Sequence, residues 1–249
     1  MTGTPPTRRT SPPGEFFEGD ARPQAAASPT IAILDYGMGN RRSVEKAFAH
    51  VGARPLVTRD HDAIRAADGV VVPGVGAFPR AMRNLRELGL DEVIRERAGA
   101  GVPVLGICLG MQLLFESSSE VEPATGLGLL AGEVRPLDAK GERVPHIGWN
   151  VVRFERATRL NAALPQAVAF YHVHSYVVSP TDPSDALGTA VYGERFVSAV
   201  ARDNVFGVQF HPEKSSRFGL TLLASFSAAC GGTDAHATDP DRVQSQSHA

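Results

Sequence analysis

Apolar residues follow two rhythms along this chain. Ile31-Ala32-Ile33-Leu34 is a strand-length run closed by Asp35-Tyr36-Gly37, which predicts a strand and then a turn. Within residues 43–51, Val44, Ala47, Phe48 and Val51 fall at i, i+3, i+4 and i+7 before Gly52, the spacing and stop of a helix. Leu56-Val57 and Val70-Val71-Val72 read as further strands, and Met82, Leu85 and Leu88 as another helical face. Residues 102–107 predict a fourth strand, with the next helix beginning over 111–115. Continuous apolar strands alternating with amphipathic helices predict an α/β fold around a doubly wound, mainly parallel sheet.

The rhythm changes in the second half. Strand-like stretches at 133–135, 151–154, 168–176, 196–201 and 205–210 follow one another with turns and little helix. They predict antiparallel additions to the sheet. Leu220, Leu222, Leu223 and Phe226 mark a closing helix. Residues 1–29, rich in Pro, Thr, Ser, Ala and Gly, and the polar stretch 231–249 read as flexible tails around one domain at 30–230.

Composition narrows the classes. Twenty-five Lys and Arg against 27 Asp and Glu give a net charge of -2, without the basic excess expected of a nucleic-acid binder. No run of about 18 apolar residues is present, so no membrane-crossing helix is expected. Cys108 and Cys230 are the only cysteines, too few for a disulfide framework and consistent with a reducing, cytoplasmic setting. Arg8-Arg9 invites a twin-arginine export reading, but the hydrophobic stretch such a signal needs does not follow.

In open α/β sheets chemistry gathers beyond the carboxyl ends of the strands. Gly106-Ile107-Cys108-Leu109-Gly110 stands between the fourth strand and a helix, the nucleophile-elbow arrangement with Cys in place of Ser. The small flanking residues allow a sharp turn that exposes the sulfur at a helix start, where thiolate is favoured. The Leu109 N–H is then placed for an oxyanion. A thiol nucleophile needs a base and the base an orienting acceptor; His211-Pro212-Glu213, after the last strand, offers both. In extended chain His211 and Glu213 face the same side. Pro73-Gly74-Val75-Gly76 follows another strand and is either an oxyanion-forming peptide or an ordinary tight turn.

Cofactor and metal patterns fall short. Gly37-Met38-Gly39 meets Arg42 where a dinucleotide fingerprint needs its third glycine, and Gly74-Val75-Gly76 meets Pro79. His172-Val173-His174 resembles a metal pair, but no further ligand stands at zinc spacing. No cofactor and no metal are expected.

Between residue 31 and about 226 the chain resembles the triad-type, class I glutamine amidotransferases. It is similar, more narrowly, to the glutaminase subunits of imidazole glycerol phosphate synthases. The elbow and His211-Pro212-Glu213 mark the superfamily. The narrower likeness rests on Pro73-Gly74-Val75-Gly76-Ala77-Phe78, Pro145-His146-Ile147-Gly148-Trp149-Asn150, His174-Ser175-Tyr176 and Pro212-Glu213-Lys214-Ser215. Amidotransferases of anthranilate, purine and carbamoyl phosphate synthesis share the triad and are the nearest rivals. Arg41, where an apolar residue is expected, and His172, where Phe is commoner, depart from the pattern.

The resemblance implies a flavodoxin-like glutaminase architecture and hydrolysis of L-glutamine. Cys108 attacks the side-chain amide, His211 moves the proton and Glu213 holds the imidazole. Leu109 and the turned peptide at Gly74 and Val75 supply oxyanion N–H groups. Gly76, Gln112, Glu120, Ser175 and Tyr176 recognise glutamine. The implied partner is a (β/α)8-barrel cyclase subunit that receives ammonia directly and makes imidazole glycerol phosphate and aminoimidazole carboxamide ribotide in histidine biosynthesis. Asn40, Trp149, Tyr171 and Lys214 are its docking or gating positions.

Overall fold

The computed structural model describes residues 28–232. The expected tails lie outside the described residues, as does Arg8-Arg9, except for 28–29 and 231–232. In chain order the elements are β1 (Thr30–Leu34), α1 (Arg41–His50), β2 (Arg54–Thr58), α2 (His61–Ala66), β3 (Gly69–Gly74), α3 (Phe78–Glu87), α4 (Leu90–Gly99) and β4 (Val104–Cys108). Next come α5 (Leu109–Leu113), β5 (Phe115–Ser118), β6 (Ala124–Thr125), β7 (Leu130–Pro136), β8 (His146–Phe154) and β9 (Ala167–His174). The chain ends with β10 (Tyr176–Pro180), β11 (Ala186–Tyr192), β12 (Glu194–Arg202), β13 (Val205–Val208) and α6 (Ser216–Gly231).

Strands β2, β1, β3, β4 and β13 lie side by side and all parallel. From β13 the sheet continues as β12, β10, β7, β5 and β6, with β11 bridging β12 to the β8–β9 pair. The additions are antiparallel apart from β5 beside β7. This is the expected doubly wound sheet with antiparallel additions.

Period-two alternation sorts the core onto two faces. Ile31, Ile33 and Val71 pack with Phe48 of α1 and Leu222 and Phe226 of α6. Ala32, Leu34, Val70 and Val72 pack on the other face with Met82 and Leu85 of α3 and Ile94 of α4. Every residue of β3 and β4 is buried, which is why these strands read as unbroken apolar runs. No helix among the described residues is long and apolar enough to cross a membrane.

Three local expectations change. The helix expected to begin at 111–115 ends at Leu113, and Phe115 opens a strand. The carbonyls of Leu113, Leu114 and Phe115 are taken by the N–H groups of Leu127, Leu129 and Gly128, so the connection between β6 and β7 replaces the helical ladder. The strand expected over 168–176 divides at Ser175, where the chain leaves β8 and pairs with β7. The strand expected over 205–210 ends its ladder at Val208.

Candidate active site

The carboxyl end of β4 turns into α5 at Cys108, whose φ of 56° and ψ of −113° are strained for a residue with a side chain. The two flanking glycines make the turn possible. A Cβ on Gly110 would stand 1.7 Å from the carbonyl oxygen of Val72, and one on Gly106 would stand 2.5 Å from that of Gly110. The sulfur lies 3.7 Å from the Val173 carbonyl and 3.7 Å from Gln209 Nε2. Since α5 has only five residues, the field on the sulfur comes from the free N–H groups of one turn rather than a long macrodipole.

His211 reaches the same place from the next strand. β13 pairs with β4, with Val208 opposite Ile107, so both chains leave the sheet side by side. Nδ1 of His211 meets Glu213 Oε1 at 2.9 Å, which leaves Nε2 for Cys108. Burial works against the charged ring, but hydrogen bonds to Cys108 and Glu213 and the negative charge of both push the imidazole up to about 9. His211 itself is extended, whereas Pro212–Lys214 forms a 3-10 turn. The carboxylate is therefore presented by a turn and not by the extended chain that sequence spacing predicts. Glu213 is buried, and its Oε2 has no hydrogen-bond partner.

The expected oxyanion segment adjoins the sulfur, with Gly74 directly across from Cys108 in the sheet register. A Cβ on Gly74 would meet the Tyr36 hydroxyl at 2.7 Å and Leu109 Cβ at 2.9 Å. Tyr36 is buried and donates to the Pro73 carbonyl at 2.5 Å; burial and the charge of Cys108 push its phenol up. Gly76 has a φ of 112°, a conformation that favours glycine.

Cys108, His211, Leu109, Val75, Gly76, Gln112, Glu120, Ser175 and Tyr176 all border one cavity of about 280 Å³, which the expected docking residue Lys214 also lines. Gly74 stands behind that wall. Gln112 Nε2 donates to the Tyr176 carbonyl at 3.2 Å. Glu120 accepts the Phe78 N–H at 2.7 Å and so caps α3, whose N-cap residue Ala77 offers no side-chain acceptor. Burial raises its carboxyl, partly offset by that bond.

Of the four docking positions, Trp149 and Tyr171 are register partners on β8 and β9, with rings edge to face at 6.2 Å. Trp149 is 56 % exposed, beside Ile147 at 59 % and Val151 at 52 %. Asn40 is exposed at the start of α1, away from the cavity wall. Arg41, the unexpected cation beside it, is ion-paired with Asp35.

Sequence reasoning missed two features. Gln209 is buried between Gln112 and the sulfur, and its signal was a lone polar residue in an apolar strand. His172 and His174 join His146 in a buried cluster, His172 stacked on the His146 ring and His174 edge-on to it. Burial presses His172 down to about 2 and His174 to about 3. No group of three His, Cys, Asp or Glu among the described residues is placed to hold a metal.

The family described as glutamine amidotransferase class-I matches residues 32–228. A protein of Moorella thermoacetica named imidazole glycerol phosphate synthase subunit HisH is 54% identical over 196 residues, covering 79% of this chain and 93% of its own. A Bacillus cereus protein of the same name is 50% identical over 196 residues, with the same coverage. Among solved structures, one described as a glutamine amidotransferase superposes with a TM-score of 0.64 at 19% identity, covering 80% of this chain and 98% of its own. That likeness shows the shared fold. The chain belongs to the class-I glutamine amidotransferases and, within them, to the glutaminase subunits of imidazole glycerol phosphate synthase.

Proposed function

We propose that Cys108, His211 and Glu213 hydrolyse L-glutamine to glutamate and ammonia. The observation that carries this reading is the meeting of a strained cysteine and a carboxylate-held histidine at the ends of two neighbouring parallel strands, inside one cavity. The Cys108 thiolate attacks the glutamine side-chain amide. The oxyanion receives N–H groups from Leu109 and from the peptide at Gly74 and Val75 once it turns inward. His211, as imidazolium, gives its proton to the departing nitrogen, and ammonia leaves. Neutral His211 then draws a proton from water as the oxygen attacks the glutamyl thioester, and Cys108 is released as thiolate. Gly76, Gln112, Glu120, Ser175 and Tyr176 hold the amino acid.

Ammonia set free in water at neutral pH is mostly protonated and no longer a nucleophile, so it is delivered directly. The recipient in this reading is a (β/α)8-barrel cyclase subunit, forming a heterodimer that makes imidazole glycerol phosphate and aminoimidazole carboxamide ribotide in histidine biosynthesis. The apolar stripe Ile147, Trp149 and Val151, with Tyr171 beside it, is its docking face. Lys214 and Asn40 contribute at the rim. Two unpaired cysteines suit a cytoplasmic enzyme.

The test is glutamate release with and without the cyclase and its phosphorylated ribulosyl-formimino carboxamide nucleotide. Turnover should be nearly silent alone and rise strongly with both. High turnover that ignores the partner contradicts the coupling.

A further inference from the structure

Gln209 is fully buried, two residues before His211. Its Nε2 lies 3.7 Å from Cys108 Sγ, and its Oε1 accepts from Gln112 Nε2 at 3.0 Å. Which end of this carboxamide faces the sulfur is decided by a group that has no choice. The Tyr176 carbonyl can only accept. It takes an N–H from Gln112 Nε2 at 3.2 Å, so the Gln112 nitrogen points inward. The second N–H of that nitrogen meets Gln209 Oε1, and Gln209 must then present its nitrogen to the sulfur.

The same carbonyl fixes a second branch. His174 Nδ1, 3.0 Å away, donates to it. His174 Nε2 is left as the acceptor for His146 Nδ1–H at 3.0 Å, and His146 Nε2 accepts from Asn150 Nδ2 at 3.4 Å. Burial keeps both rings neutral, as this order of protons requires. One assignment of protons satisfies all of these contacts.

We propose that Gln209 is a further catalytic residue of the nucleophilic centre, donating Nε2–H to the Cys108 sulfur, with Gln112 and the Tyr176 carbonyl fixing its polarity. An N–H donor favours the anion, whereas the Val173 carbonyl, also 3.7 Å away, favours S–H. The other groups facing the sulfur are the His211 imidazole and the un-ionised Tyr36 phenol. His211 supplies the opposite charge; Gln209 supplies direction to a sulfur removed from water. The same bond steadies the thiolate when it leaves the thioester.

This role rests on Cys108 acting as the nucleophile. The test reads the thiol itself rather than glutamine turnover, so the two can fail separately. Alkylation by iodoacetamide is followed against pH on the peptide carrying Cys108. In Gln209→Met the midpoint should rise by about one pH unit, a tenfold loss of thiolate below it. With the partner, kcat should fall about tenfold while KM holds. A folded Gln209→Met with an unmoved midpoint overturns the assignment. If that variant does not fold, the side-chain amide protons of Gln209 are followed by NMR in the unsubstituted chain. They should shift with the Cys108 midpoint and lose that titration in Cys108→Ala. Amide shifts indifferent to pH overturn it equally.

Discussion

The N–H of His211 donates to the carbonyl of Tyr171 at 2.8 Å. Ser215 closes the loop, with its Oγ accepting the Tyr171 N–H at 3.0 Å and donating to the His211 carbonyl at 2.6 Å. The proposed base is thus pinned to β9, whose outer face carries the Tyr171 ring beside Trp149. A partner seated on that face presses on the strand that holds the imidazole.

Trp149→Ala should weaken cyclase binding by 2 kcal/mol or more, roughly 30-fold in Kd. The ring is largely exposed, so the melting temperature of the isolated chain should not change. Titration calorimetry against the barrel subunit and a thermal melt check both halves.

Glu213→Gln keeps the shape and removes the charge that supports the imidazolium. Since His211 is raised to about 9, its proton-donating form persists up to that pH, and kcat should fall as pH rises beyond it. In Glu213→Gln the alkaline fall should begin at lower pH, and kcat at neutral pH should drop on the order of 10²–10⁴-fold. A pH–rate profile of both proteins measures this.

His172 and His174 set the acid limit of stability. Both are buried neutral with values near 2 and 3 against an ordinary 6.5. Below pH 6.5 the unfolded chain takes up protons that the folded chain refuses. The contribution of these two rings is full above 6.5 and is lost as pH falls, at about 1.4 kcal/mol per unit for each ring. His172 Nε2 accepts from Ser198 Oγ at 2.8 Å, so the double variant His172→Phe, Ser198→Ala removes one ring without orphaning the hydroxyl. Its melting temperature between pH 6.5 and 5 should fall less steeply than that of the unsubstituted chain.

Gly110→Ala should destabilise the chain by 3 kcal/mol or more, because the added Cβ would stand 1.7 Å from the Val72 carbonyl in a fully buried strand. Ala at Gly99, where nothing lies within 4 Å, is the control and should be neutral or stabilising. Chemical denaturation of both variants distinguishes them.

Where the physics is local, the sequence carried it. β3 and β4 are buried on both faces and read as apolar runs, α1 shows its stripe at Val44, Ala47 and Phe48, and the elbow announces itself by Gly106 and Gly110. Segments without a period of their own were less legible. α2 has six residues, and β11 carries register shifts around Gly188. The site divides in the same way. Cys108 and His211 stand in short, recognisable contexts, whereas Gln112 meets Gln209 across 97 positions, and His146 meets His174 only because β8 pairs with β9. His172-Val173-His174 was visible as a pair. Its use, two rings held neutral by burial and oriented by carbonyls two residues away, depended on packing that spacing does not encode.

The most direct measurement is intact-protein mass spectrometry of the complex, acid-quenched during turnover of glutamine, followed by peptide mapping. A glutamyl adduct should appear on Cys108, accumulate further when thioester hydrolysis is slowed, and vanish together with all turnover in Cys108→Ala. Glutamine turnover that persists in Cys108→Ala, or an adduct carried by another residue, would contradict the Cys108–His211–Glu213 mechanism.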